Sequence, residues 1–518
     1  MPAPSAEVFD RLRKLAAIED VTDRQNRTVD EVFTGRALAT IPVGTADDVG
    51  AAFDAARAAQ AAWAKRPVAE RIEVIGRYRD LVIENRESLM DLVQAEAGKA
   101  RWAAQEEIVD LMANANYYAR VAAGLLKPRR VQALLPTIGK TTVAHQPKGV
   151  VGVISPWNYP MTLTASDSVP ALLAGNAVVV KPDSQTPYCA LACAELLYRA
   201  GLPEALYAVV PGQGSVVGAA IAEQCDFLMF TGSSLTGSLL AEQAGRRLIG
   251  FSAELGGKNA MIVACGANLN RVAKAATRAC FSNAGQLCIS IERIYVEKDI
   301  AAEFTEKFGR AVRSMKLGTA YDFTADMGSL ISEEQLKTVS GHVDDATAKG
   351  ATVIAGGKAR PDIGPLFYEP TVLAGVTPEM ECADNETFGP LVSIYPVAGI
   401  DEAVERANNT PYGLNASVWA RSTAEGQRIA ARLRCGTVNV DEGYAFAWGS
   451  LSAPMGGMGI SGVGRRHGPE GLLKYTEAQT IATARVLNLD PPFGIPSTLW
   501  QKALMPIVRT VMHLPGRT

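Results

Sequence analysis

An α/β fold built on doubly wound parallel sheets follows from three features of the 518-residue sequence: short, fully apolar runs, helical patterns between them, and glycines closing the connections. The runs at residues 149–154, 177–180, 208–211 and 227–230 are short enough for strands buried on both faces. Between them, residues 188–199 repeat apolar side chains at helical spacing and stop just before Gly201, which suits a helix C-terminus. The same alternation resumes over residues 260–439, with strand-like runs at 291–296 and 391–396, so a second α/β domain of similar size is expected. At about 150 residues per domain, the length allows two to four domains.

The chain opens differently. Over residues 47–123 apolar side chains recur at intervals of three and four (Phe53, Ala56, Ala59 and Trp63, then Ile75, Tyr78 and Leu81, then Leu89, Leu92 and Val93), which predicts an all-helical entry. Residues 127–148 carry prolines and two short β-prone pieces, 131–135 and 141–144, and read as an arm leaving the main body for oligomerisation. Beyond Pro491, Leu499, Ala503, Ile507, Val508, Val511 and Met512 fall at roughly helical spacing. That tail could be an amphipathic membrane anchor. A tail packed on its own subunit is the better reading, because Pro506 should interrupt the helix and the basic charge is slight.

Composition excludes several function classes. With 51 basic and 54 acidic residues, a net charge of −3, the chain has no basic field for nucleic acid or an anionic membrane. Eight cysteines with no CxxC pair, and only four histidines, argue against a cysteine-rich zinc site. The first thirty residues alternate charged and apolar residues without the apolar stretch of a signal peptide, and the most apolar internal run, 170–180, is about half a membrane span. These features predict a cytoplasmic protein acting on small molecules, without stable membrane insertion and without a metal.

Chemistry concentrates in three segments. Phe281-Ser282-Asn283-Ala284-Gly285-Gln286-Leu287-Cys288 is a polar, small-residue turn ending in a cysteine just before a strand-like run. A thiolate presented on such a turn is a nucleophile that substrate can reach, whereas a cysteine on an apolar helix face is a small core residue. Thirty-four residues earlier, Glu254-Leu255-Gly256-Gly257 sets one carboxylate among apolar residues, where its pKa would rise into the range of a general base. Ser155-Pro156-Trp157-Asn158-Tyr159-Pro160 pins Asn158 on a stiff turn, a suitable oxyanion donor.

Together these segments resemble the aldehyde dehydrogenase superfamily. Further matches are Lys181-Pro182, Phe230-Thr231-Gly232-Ser233, Glu386-Thr387-Phe388-Gly389-Pro390, Asn409-Thr410-Pro411-Tyr412-Gly413-Leu414 and Pro454-Met455-Gly456-Gly457, so the resemblance spans about residues 30–487. Within the superfamily the chain is most similar to succinate-semialdehyde dehydrogenases of mycobacterial type. The resemblance implies a Rossmann-like cofactor domain (residues 1–127 and 147–255), an α/β catalytic domain (256–455), a β arm for oligomerisation (128–146 and 456–490) and a C-terminal extension (491–518). A homodimer or homotetramer is expected on the same ground.

The resemblance also implies roles. Cys288 would attack the aldehyde carbon, Asn158 and the Cys288 backbone amide would hold the oxyanion, and Glu254 would activate the water that hydrolyses the thioester. The dinucleotide would contact Trp157, Asn158, Lys181, Ser184, Gly232, Ser233, Leu255 and Glu386. Members preferring NAD often carry a glutamate where Ser184 stands, so a hydroxyl beside the Lys181 ammonium favours NADP, with NAD as the alternative. Gly212, Gly214 and Gly218 imitate a dinucleotide fingerprint with the third glycine one residue late, and are assigned a mainly structural role. From a different class, Cys288, Asn158 and Glu254 would also suffice for a cysteine-dependent esterase or acyl transferase, marked by turnover without nucleotide.

The departures matter as much as the matches. Where succinate-semialdehyde dehydrogenases carry an arginine and a lysine, this chain has Ser166 and Asp167, so a substrate carboxylate would lose a bidentate partner and meet a negative charge. The expected Gly-Arg-Glu is Gly464-Arg465-Arg466; these two arginines read as surface or subunit-contact residues in preference to substrate cations. Ser290 stands where several relatives have a second cysteine, so that neighbour offers no disulfide to Cys288. Tyr444, Phe446 and Trp448 alternate, as they would on a half-buried strand or along the lining of a tunnel for an apolar or aromatic substrate.

Overall fold

The computed structural model describes residues 3–133, 139–484, 490–491 and 493–513. Its helical entry is four helices, Ala46–Lys65, Val68–Glu84, Arg86–Ala97 and Arg101–Leu126. The first begins with a capping box, in which the Thr45 hydroxyl and the Asp48 carboxylate satisfy each other's backbone amides. The third stops at Gly98, whose φ of +66° is left-handed; a side chain there would also strike Ser329 and Val32.

Two parallel sheets follow. The first has the strand order Gly462–Val463, Gly250–Glu254, Phe227–Thr231, Val150–Ile154, Ala177–Lys181, Tyr207–Val209, parallel except for Gly462–Val463. Its three central strands are buried at every position, which is why they appear in the sequence as unbroken apolar runs. Helices Pro160–Leu173 and Pro187–Arg199 pack with the helical entry and this sheet into one core. The second sheet has the order Thr352–Ala355, Thr371–Ala374, Leu391–Val397, Ile291–Glu297, Asn259–Val263, Asn415–Trp419, Thr437–Val440, with only the first strand antiparallel, and forms a separate core.

A three-stranded antiparallel sheet joins Arg129–Val131, Gly139–Pro147 and Thr476–Ala484. The expected arm at 456–490 is therefore corrected at its start. Gly462–Val463 pairs with Gly250–Glu254, and Leu472 and Tyr475 enter the core of the first sheet, so the arm strand begins only at Thr476. Residues 134 and 135 of the expected arm strand, and 485–489 of the expected arm, lie outside the described residues. The tail helix Ser497–His513 runs through Pro506, contrary to the expected interruption. Proline costs one amide donor and a bend, which an exposed helix can accommodate. Among the described residues no helix is long and apolar enough to cross a membrane.

Candidate active site

The helix Leu269–Phe281 ends in a turn, Ser282–Gly285, where three successive residues adopt left-handed backbone: Asn283 at φ 50°, Ala284 at φ 54° and Gly285 at φ 72°. Two of these are not glycine, so the conformation must be held from outside. Asn283 donates from Nδ2 to the carbonyls of Asn158 (3.0 Å) and Gln286 (3.1 Å). The Gln286 amide spans from Asn283 and Ser329 to the Ile331 N–H. At Gly285 a Cβ would lie 2.1 Å from the Gly389 carbonyl, so only glycine fits. Beyond the turn, Asn259 donates to the carbonyls of Cys288 (2.8 Å) and Ser290 (2.7 Å), which fixes the cysteine from the far side. The Ser290 hydroxyl is buried and donates to Cys280 O, 3.0 Å away.

Cys288 is half-buried and lines a cavity of about 410 Å³ together with Asn158, Tyr159, Leu163, Leu287 and Ile289. Burial pushes its thiol up to about 12, against the opposing field of Arg466. Asn158 is nearly fully buried, and its Nδ2 donates to Gln286 O at 3.1 Å. An amide nitrogen has two hydrogens, so one remains to point at an oxygen in the cavity.

Glu254 ends the strand Gly250–Glu254, directly opposite Thr231, and is 2% exposed. Neither carboxylate oxygen has a hydrogen-bond partner among the described residues. Burial raises its carboxyl to about 7, while Arg466 and Lys474 act in the other direction. Gly456 gives it room, since a Cβ there would stand 2.8 Å from Glu254 Oε1.

Arg466 corrects the sequence expectation. It is buried rather than at the surface, and its Nη2 donates to Asp167 Oδ2 (2.8 Å) and Thr231 Oγ1 (3.0 Å). The two positions where the resemblance implies lysine and glutamate therefore hold Asp167 and Arg466, an ion pair of reversed polarity. Asp167 is neutralised by it, and Ser166 donates to Asp110 at 2.6 Å. Arg465 bonds to the carbonyls of Gly457 and Gly464, and Arg293 bonds to those of Lys258 and Ala407. None of these three arginines lines the 410 Å³ cavity.

A different arginine does, one that no sequence motif marks. Arg278, on the helix before the turn, reaches the cavity wall, lies over Trp102 with its guanidinium carbon 5.2 Å from the ring centre, and pairs with Glu106. Glu106 also accepts from the hydroxyls of Tyr444 (2.9 Å) and Tyr159 (3.1 Å). Residues 445–449 form a short helix, not a strand. Residues four apart share a helix face, so Tyr444 and Trp448 line the cavity while Phe446 is 76% exposed.

The other predicted residues gather along the C-terminal ends of the first sheet, where open α/β sheets bind ligands. Trp157 follows Val150–Ile154 and stands edge-on to Phe388, 5.5 Å between centroids. Lys181 closes its strand nearly buried, and its ammonium makes no hydrogen bond or ion pair among the described residues; burial lowers its pKa. Ser184 donates to Gly212 O at 3.0 Å. Ser233 caps the helix Ser234–Arg247, accepting from Thr236 N–H, and a Cβ on the adjoining Gly232 would meet the Phe230 ring at 2.5 Å. Leu255 packs on Gly237 of that helix. Glu386 accepts the Gly257 N–H at 2.8 Å, and the buried Glu292 holds its loop through the amides of Thr387 and Phe388. A helix N-terminus, an uncommitted ammonium and a run of glycine close approaches suit a pyrophosphate-bearing dinucleotide. The imitation fingerprint does not, because Gly214 and Gly218 have ordinary space for a side chain and only Gly212 is crowded.

The profile described as "Aldehyde dehydrogenase family" matches residues 19–481. A Mycobacterium tuberculosis protein provisionally named succinate-semialdehyde dehydrogenase (NADP(+)) 2 is 85% identical over the whole of both chains. A Mycolicibacterium smegmatis protein, provisionally named succinate-semialdehyde dehydrogenase (NADP(+)), is 74% identical over the same extent. The crystal structure of succinate-semialdehyde dehydrogenase from Burkholderia pseudomallei superposes with a TM-score of 0.85 at 34% identity, covering 89% of this chain and 95% of that one.

Proposed function

The chain belongs to the aldehyde dehydrogenase family, and from that premise we propose that it oxidises succinic semialdehyde to succinate with NADP, through a covalent intermediate on Cys288. The observation that carries this reading is the joint placement of Cys288 and Asn158 on one cavity, with the unpaired, buried Glu254 close enough to act on the Cys288 thiol electrostatically.

The Cys288 thiol passes its proton to water as its sulfur adds to the aldehyde carbon, and the oxygen that becomes negative is met by the free Asn158 N–H and the Cys288 backbone N–H. NADP, when bound, supplies the hydride acceptor; Trp157, Lys181, Ser184, Gly232, Ser233, Leu255 and Glu386 are the residues suited to hold it. The thioester left on Cys288 is cleaved by water, and Glu254 takes the proton from that water. A carboxyl raised to about 7 is half-ionised at neutral pH, so it can both accept and release a proton there. The end of the substrate away from the aldehyde meets Arg278, which takes the place of the cation absent at Ser166.

A bulkier neutral aldehyde is a second reading. It draws support from a cavity walled mainly by Trp102, Val109, Leu163, Leu451 and Trp448, and from Glu106, which already neutralises Arg278. The initial rate of NADP reduction across succinic semialdehyde and a panel of neutral aldehydes, with Cys288→Ala as control, tests both. The highest specificity constant for succinic semialdehyde supports the first reading, and a tenfold advantage for a neutral aldehyde replaces it with the second.

The domain division at 1–127 with 147–255 against 256–455 belongs to the same proposal and is supported by the two separate cores. A homodimer or homotetramer is supported by the arm strand Thr476–Ala484, which is exposed from its second residue onward and would be covered by another subunit. Eight unpaired cysteines suit a reducing compartment such as the cytoplasm.

A further inference from the structure

A second cavity, of about 190 Å³, lies between the N-terminal hairpin, Asn26–Glu31 with Arg36–Pro42, and the ends of the strands Ala177–Lys181 and Tyr207–Val209. Ser184, Pro187, Gly212 and Gln213 form one wall, and Arg27 and Pro42 belong to the hairpin wall opposite. We propose that Arg27 reaches across this cavity to complete, with Lys181 and Ser184, the seat of the 2′-phosphate of NADP, and so sets the preference for NADP over NAD. The inference rests on the NADP reading above and adds a residue from outside the motifs that carry it.

The charge inventory supports it. No carboxylate lines the cavity; Arg27 is its only charged lining residue. Three residues earlier, Arg24 is committed to Asp48 by two hydrogen bonds of 2.9 Å, whereas the Arg27 side chain makes no hydrogen bond or ion pair among the described residues. The Lys181 ammonium beneath is equally uncommitted, and Arg27 is close enough to disfavour its charged form. Lys181 stands outside the lining of this cavity and is favoured in its charged form by Asp183, but it lies within the field of Arg27, so an anion held between the two would be attracted by both. The nearest acid, Asp183, accepts the Gln185 N–H at 2.9 Å.

The neighbouring helix N-terminus is already occupied. The helix Pro187–Arg199 begins beside this cavity, but its first free amides, Tyr188 and Cys189, are taken by the buried Glu96 at 2.9 and 2.7 Å. Among the side chains that line the cavity, Arg27 and Ser184 are the ones suited to a phosphate. A guanidinium can grip it through two parallel N–H bonds, and Ser184 adds a hydroxyl where a carboxylate would repel it.

The test is equilibrium binding to the full-length enzyme, read by quenching of tryptophan fluorescence, with NADP, NAD, 2′,5′-ADP and 5′-ADP as probes. For Arg27→Ala the ratio of the NAD to the NADP dissociation constant should fall at least tenfold, and the preference for 2′,5′-ADP over 5′-ADP should fall in step. Arg27→Lys should keep most of both, and Arg27→Gln, which retains the stem, should behave like Arg27→Ala if the effect is charge and not packing. A wild-type enzyme that prefers NADP, with both ratios unchanged in Arg27→Ala and Arg27→Gln, overturns the role of Arg27 alone. A wild-type enzyme that binds NAD more tightly overturns the NADP reading itself and the inference with it.

Discussion

Arg466 and Asp167, 299 residues apart in sequence, form a buried ion pair at 2.8 Å whose two charges both act on the Glu254 carboxyl, each side chain about 5% exposed. Removing one partner of such a pair strands a charge, whereas removing both can be nearly neutral. Asp167→Ala and Arg466→Met should each lower unfolding stability by about 3–5 kcal/mol. The double variant should recover most of that loss in urea titrations. Additive losses would mean that the two residues act separately.

The pH profile should report Glu254. A general base acts when deprotonated, and burial moves this carboxyl up to about 7, so the rate of thioester hydrolysis should rise through pH 7 and not near the ordinary carboxylate range. The sign for stability is opposite. The folded state holds this proton to higher pH than the unfolded chain, so the group's destabilising effect is absent below about pH 4 and fully present above pH 7. Glu254→Gln should therefore be slower by about 10²–10⁴-fold yet more stable than the parent at pH 8. A profile whose limb stays at pH 7 in Glu254→Gln would assign that limb to another group.

Arg278 should matter in proportion to substrate charge. A charged hydrogen bond contributes roughly 1.5–3 kcal/mol, so Arg278→Ala should raise KM for succinic semialdehyde by about ten- to hundredfold while leaving a neutral aldehyde of similar length within about threefold. Equal effects on both substrates would make Arg278 a strut for Glu106 and Tyr444.

Much of this architecture was legible in the sequence because its central strands are buried on both faces and so appear as apolar runs; 150–154, 177–180 and 227–230 are the clearest cases, the last two strands closing on the polar Lys181 and Thr231. The turn before Cys288 was legible because a small, polar, glycine-containing run has few other uses. What failed to show were relationships across sequence distance or below the resolution of periodicity. The pairing of Arg466 with Asp167 leaves no local trace, since either residue alone reads as surface charge. Five residues from Tyr444 to Trp448 are too few to separate a strand's period of two from a helix's four. Arg278 sits among other basic residues on a strongly amphipathic helix, and only the fold says which of them faces the cavity.

Trapping the intermediate tests the central claim most directly. Glu254→Gln mixed with NADP and succinic semialdehyde, quenched in acid and digested, should yield the Cys288 peptide carrying a succinyl group, and Cys288→Ala should yield neither the adduct nor NADP reduction. Turnover by Cys288→Ala, or a succinyl group on any other residue, would contradict the account.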